Sequence, residues 1–98
     1  MSTDRIATVT FATSVHSLDA VKRAAYVFMA RASISIDPSE TELRCHLEAA
    51  PNEEPERLVR DFRREVLDQD LRIEIEAKTE PLRNMILGLA FSRIAQDG

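Results

Sequence analysis

Along this chain, apolar residues recur every second position in three short stretches. They recur with a period near 3.6 in longer ones. From Arg5 to Phe11, Ala7, Val9 and Phe11 share one side and Thr8 and Thr10 the other. This alternation with β-branched residues predicts a strand. In "SVHSLDAVKRAAYVFMARA" the positions Leu18, Val21, Ala25, Phe28 and Ala32 follow helical spacing. Ser17 is placed to cap that helix, with Asp19 in its first turn, where the helix dipole favours an acid. "SISID" sets Ile34 and Ile36 on one strand face. "DPSE" reads as a turn with Pro38 pre-setting the backbone, and "TELRCHLEA" alternates Leu43, Cys45 and Leu47 against Glu42, Arg44, His46 and Glu48. Two strands around a short turn form a hairpin.

After "APNEEPE" the pattern turns helical again, with Asn52 as a cap and Pro55 tolerated in the first turn. Leu58, Phe62 and Val66 form a stripe, extended at looser spacing by Leu71 and Ile75. "LRIEIEA" also alternates, so a fourth strand would give a ferredoxin-like βαββαβ fold with a C-terminal helix. Glu, Ala and Lys favour the helix. Pro81 predicts a kink or restart near Thr79, with Thr79 as the new cap. The expected order is β-α-β-β-α-α. It makes one α+β domain over residues 1–98, a small three-stranded antiparallel sheet with helices on one face. With a right-handed crossover, the third strand can lie between the first two, leaving two open edges.

Composition narrows the function. A length of 98 residues suits one domain, and 44% hydrophobic with 31% charged residues suits a globular one. The net charge of −4, with neither half basic, argues against nucleic acid as a partner. No apolar run is long enough to span a membrane, and the N-terminus lacks the layout of a secretory signal. A single Cys fits a reducing cytoplasm. Cys45 and His46 are adjacent on a strand, so their side chains point to opposite faces and make no nucleophile pair. His16 and His46 lack metal-ligand spacing. No phosphate loop, nucleotide fingerprint or nucleophile elbow occurs, so no enzyme activity, cofactor or metal is expected.

Two features point to protein partners. Arg57, Arg60 and Arg64 share one helix side, where they meet an acidic partner or lie solvated among pairs such as Glu53/Arg57, Glu56/Arg60 and Arg64/Asp68. The last helix is apolar nearly all round: Leu82, Ile86 and Leu89 on one side, Leu87, Phe91 and Ile94 on another. It is therefore either internal or covered by a second chain, in a homodimer or by another protein. Arg83 and Asn84 flank this run and bind carbonyls internally or on a partner. Lys22, Tyr26 and Met29 pose the same choice on the off-core side of the first helix.

The block "SLDAVKRAAYVFMARASISI" is followed in order by Asp68, Leu71-Arg72, Thr79-Glu80-Pro81, Arg83-Asn84, Ile86 and Ala90-Phe91-Ser92. In this combination the chain resembles HxsD, the D protein of the His-Xaa-Ser system. The family pattern Leu-Leu-Asn-Asp-Tyr-x-Leu-Arg-Glu corresponds here to the stretch from Glu65 to Ile73, with Gln69 at the aromatic position and Ile73 at the final acid. The resemblance implies a bacterial peptide-modification locus. There, a protein with His-Xaa-Ser repeats and two radical S-adenosylmethionine (SAM) enzymes would be the partners. The iron–sulfur chemistry would belong to those enzymes, since one Cys cannot hold a cluster.

Overall fold

The computed structural model describes residues 5–97, with side chains described to residue 81. Its elements are β1 (Ile6–Ala12), α1 (Leu18–Val27), β2 (Ala32–Pro38), β3 (Glu42–Ala49) and α2 (Pro55–Asp97). The strands form one antiparallel sheet in the order β1-β3-β2. Val9 faces Cys45 across one pair and Ile36 faces Cys45 across the other. The α+β class, the central third strand and the two open edges agree with the sequence pattern. Both helices pack on the same sheet face.

Ser17 caps α1 as its position predicts. It adopts extended backbone angles, and its Oγ accepts from Ala20 N at 3.1 Å. The helix ends earlier than the apolar spacing implies. Phe28 is the C-cap, and its carbonyl accepts from both Arg31 N and Ala32 N. Ala32 therefore opens β2 rather than closing α1. Pro38 ends β2 instead of sitting inside the turn, at an edge where its missing N–H removes no ladder bond. The turn is held by Ser39, whose Oγ donates to Glu42 O and accepts from Glu42 N.

α2 also departs from expectation at two places. Its first helical bond runs from Leu58 N to Glu54 O, so Pro55 takes the first helical position and Asn52 lies too early to cap. Further on, neither a fourth strand nor a separate third helix forms. Residues 55–97 are one helix with Pro81 inside it. Thr79 does not cap a restart: its hydroxyl donates back to Ile75 O and Glu76 O. The interior proline costs about 3 kcal/mol of helix stability. The exposure of Ala77, whose carbonyl loses its donor, lets water limit that cost. At 1.5 Å per residue such a helix runs roughly 64 Å, and it sets the long axis of a molecule measuring 71 × 30 × 17 Å.

The core lies between the sheet and both helices. Leu58, Phe62 and Val66 of α2 are fully buried against Leu43, Cys45 and Leu47 of β3 and the small face of α1. The Phe62 ring lies 5.5 Å from Phe28 and 5.9 Å from Phe11, joining three elements at one point.

Candidate functional site

The first polar constellation ties α1 to α2. Asp70 lies one turn beyond the buried stripe, at the N-terminus of α1. Its Oδ1 accepts from Ser17 N and Ser17 Oγ, both at 3.3 Å, and Oδ2 contacts His16 Nδ1. The imidazole also stands edge-on to Phe11. Ser, His and Asp meet here, but the connectivity is wrong for a nucleophile. The carboxylate sits between the other two, and the Ser17 hydroxyl engages Asp70 and the helix cap rather than the imidazole. The cluster works as a clamp, placing a carboxylate where the α1 dipole is positive. Nearly two turns further, Arg23 grips Glu76 with two nitrogens at 3.1 and 3.3 Å and also meets Asp19.

At the other end of α1, Arg31 bridges Glu53 and Asp61, each at 2.9 Å, with its guanidinium 4.8 Å from the Phe28 ring centroid. The hydrogen bond from Arg31 holds the Asp61 carboxyl below its usual range, helped by the fields of Arg57 and Arg64. Glu53 is thereby drawn from Arg57, its expected helical partner, and Asp68 pairs with Arg72 rather than Arg64. None of the three expected pairs closes. Arg57, Arg60 and Arg64 are exposed, and no carboxylate forms an ion pair with them among the described residues. Arg64 borders a groove of about 470 Å³ that also takes in Val27, Phe28, Arg31, Asp61 and Asp68.

Arg83, Asn84, Leu87 and Phe91, the remaining candidates, lie outside the residues whose side chains are described. A different apolar surface comes into view instead. Leu67, Leu71 and Ile75 are 53%, 50% and 59% exposed, a row at i,i+4 spacing on α2. Leu71 and Ile75 therefore do not extend the buried stripe. Half-buried Gln69, Asp70 and Ile73 do. The five-residue step from Val66 to Leu71 is the sign: it rotates by about 140°, off the buried face.

Cys45 and His46 diverge as their adjacency on a strand requires. The thiol is fully buried, while His46 Nδ1 lies 3.3 Å from Thr8 Oγ1 on the outer face. Burial pushes the Cys45 thiol up from 9.0 to about 11. Below pH ~9 the thiol is protonated in both folded and unfolded chains, so its contribution to stability is fully present. Between about pH 9 and 11 only the unfolded chain releases the proton, and stability falls by roughly 2–3 kcal/mol. Urea unfolding of wild type and Cys45→Ala at about pH 8 and 10.5 checks this. The wild type should lose the excess stability, and equal alkaline losses in both would contradict it. No group of three or more potential metal ligands occurs among the described residues.

Sheet, helices and polar seam together define a small α+β protein with two helices on one face of a three-stranded antiparallel sheet, the second helix running far past it. No helix among the described residues is long and apolar enough to cross a membrane. The family model of the His-Xaa-Ser system protein HxsD matches residues 11–97, and the chain belongs to that family. No curated protein and no solved structure matches it.

Proposed function

We propose that the chain is a non-catalytic accessory protein of a His-Xaa-Ser peptide-modification system. It binds the repeat-bearing substrate protein, the radical SAM enzymes, or both, in the cytoplasm. Family membership supplies the context. The observation that carries the reading is the Arg57, Arg60 and Arg64 surface. Three exposed cations share one helix side, while Glu53 and Asp61 pair with Arg31 and Asp68 pairs with Arg72. Such a surface selects an acidic partner and accelerates encounter with it. The chemistry would reside in the partners, because the one thiol here is buried and protonated at neutral pH.

Co-purification of the tagged chain with the repeat-bearing protein and with each radical enzyme, singly and together, tests the proposal. We expect retention of at least one of them at low salt, with release as salt rises. Retention of none by a chain that is folded by circular dichroism overturns it.

A structural homodimer is the second reading, and the exposed row of Leu67, Leu71 and Ile75 favours it. Sedimentation should then show a concentration-dependent dimer that Leu71→Asp abolishes. A monomer at all concentrations removes this reading.

A further inference from the structure

Two backbone bonds bracket the β2–β3 ladder and set which groups point outward. Ala50 N donates to Arg31 O, and Ser39 N donates to Glu42 O, both at 2.9 Å. Both pairs share the register that sets Ser33 opposite Glu48 and Ser35 opposite His46. In an antiparallel ladder alternate residues exchange bonds with the partner strand. Arg31, Ser33, Ser35, Asp37 and Ser39 therefore face β3, and Ile34 and Ile36 direct their N–H and C=O groups away from the sheet. The free row is short. Ala32 N is taken by Phe28 O at 3.0 Å, and Pro38 has no N–H. No other described residue supplies a backbone bond to Ile34 or Ile36.

This edge runs along a groove of about 470 Å³ between β2 and α1, with Lys22, Tyr26, Met29 and Ile34 in its walls. Tyr26 and Met29 are 75% and 69% exposed, one turn apart, and neither belongs to the core cluster. Lys22 is exposed and pairs with no carboxylate among the described residues. The corresponding groove beside β1, walled by Val15, Arg63 and Leu67, is smaller, at about 330 Å³.

We infer that the open edge of β2 and the groove beside it form a docking site for an extended segment of a partner polypeptide. The segment adds as a strand through Ile34 and Ile36, sets an apolar side chain against Tyr26 and Met29, and brings a carboxylate to Lys22. Unpaired main-chain groups define the occupant as an extended backbone, because a helix has none to offer along its length. The apolar wall and the single cation supply the side-chain selection. This deepens the reading of the chain as a binding protein and rests on it, and it adds a second recognition surface, on β2 and α1, to the Arg side of α2.

The test selects a displayed library of random peptides, about twelve residues long, against the full chain. The winners should alternate apolar and polar residues and carry an acid. Saturating synthetic winner should slow amide exchange at Ile34 and Ile36 tenfold or more, leaving Thr8 and Thr10 on β1 unchanged. Ile36→Pro removes one outward donor without breaking the ladder, as an edge strand allows. That change and Met29→Asp should each weaken binding tenfold or more. If Ile36→Pro unfolds, exposed Met29→Asp carries the result. Failure to select any peptide overturns the site. So do winners that protect β1 or α2, binding indifferent to both changes, or protection of Ile34 and Ile36 that rises with protein concentration alone, which would make the occupant a second copy. Co-purification separates the two ideas. Variants retained by the system's proteins as well as wild type overturn the edge site and leave the accessory reading standing. A wild type retained by none removes that reading without altering the peptide result.

Discussion

Replacing Phe62 with alanine is expected to destabilise the fold by about 3–5 kcal/mol, the largest effect of any single change considered. The ring is fully buried and lies edge-on to Phe28 and tilted against Phe11, so one side chain fills the space between α2, the end of α1 and β1. Truncation removes its transfer free energy and leaves a void between rings that are themselves anchored on different elements. A domain of this size has roughly 5–15 kcal/mol in total, so the variant should be partly unfolded at physiological temperature. Urea unfolding should show a lower midpoint with an unchanged slope. Phe62→Leu, which keeps most of the volume, should lose about 1 kcal/mol. A loss below about 1 kcal/mol for the alanine change would mean that the three elements do not meet at this ring.

Reversing two charges together, Arg60→Glu with Arg64→Glu, is expected to weaken the complex with the system's partner about a hundredfold at low salt. Both side chains are exposed, so the fold should lose no more than about 1 kcal/mol. Part of that loss has a specific origin. A carboxylate at position 64 would stand beside the groove that holds Asp61 and Asp68. The deficit in binding should shrink as ionic strength rises and the Debye length shortens. Titration of the captured partner against wild type and variant, with urea unfolding of both, separates recognition from stability. Unchanged affinity at low salt would leave the Arg side as a solvated helix surface.

The candidate site was legible in unequal parts. Arg57, Arg60 and Arg64 share a helix side by spacing alone, which requires only that α2 be helical there. That they form no ion pair among the described residues was not legible. Local spacing offered Glu53 to Arg57 and Asp68 to Arg64. The folded chain instead gives Glu53 to Arg31 and Asp68 to Arg72. The His16, Ser17 and Asp70 clamp joins residues more than fifty positions apart and left no local trace. Its only hint was that the buried stripe of α2, continued at true helical spacing, arrives at position 70.

Features that depend on neighbours a few residues away are legible in the chain itself. Period-two alternation identifies β1, β2 and β3 and the inward side chains of β3. Ser17 with Asp19 marks the start of α1, and Leu58, Phe62 and Val66 mark the buried side of α2. A right-handed crossover allows β3 the central place, and the pairing puts it there. The remaining features come from contacts between distant segments. The tertiary structure kept α2 continuous through Pro81, because a helix already nucleated and packed along its first five turns can absorb one lost hydrogen bond that a local reading treats as a stop. It left Leu71 and Ile75 exposed, because past Val66 the side of α2 that meets α1 carries Asp70 and Glu76, and Leu71 and Ile75 lie off that side. It also chose which ends of β2 are occupied and which backbone groups stay open. That choice rests on the pairing register, a property of two strands together and of neither alone.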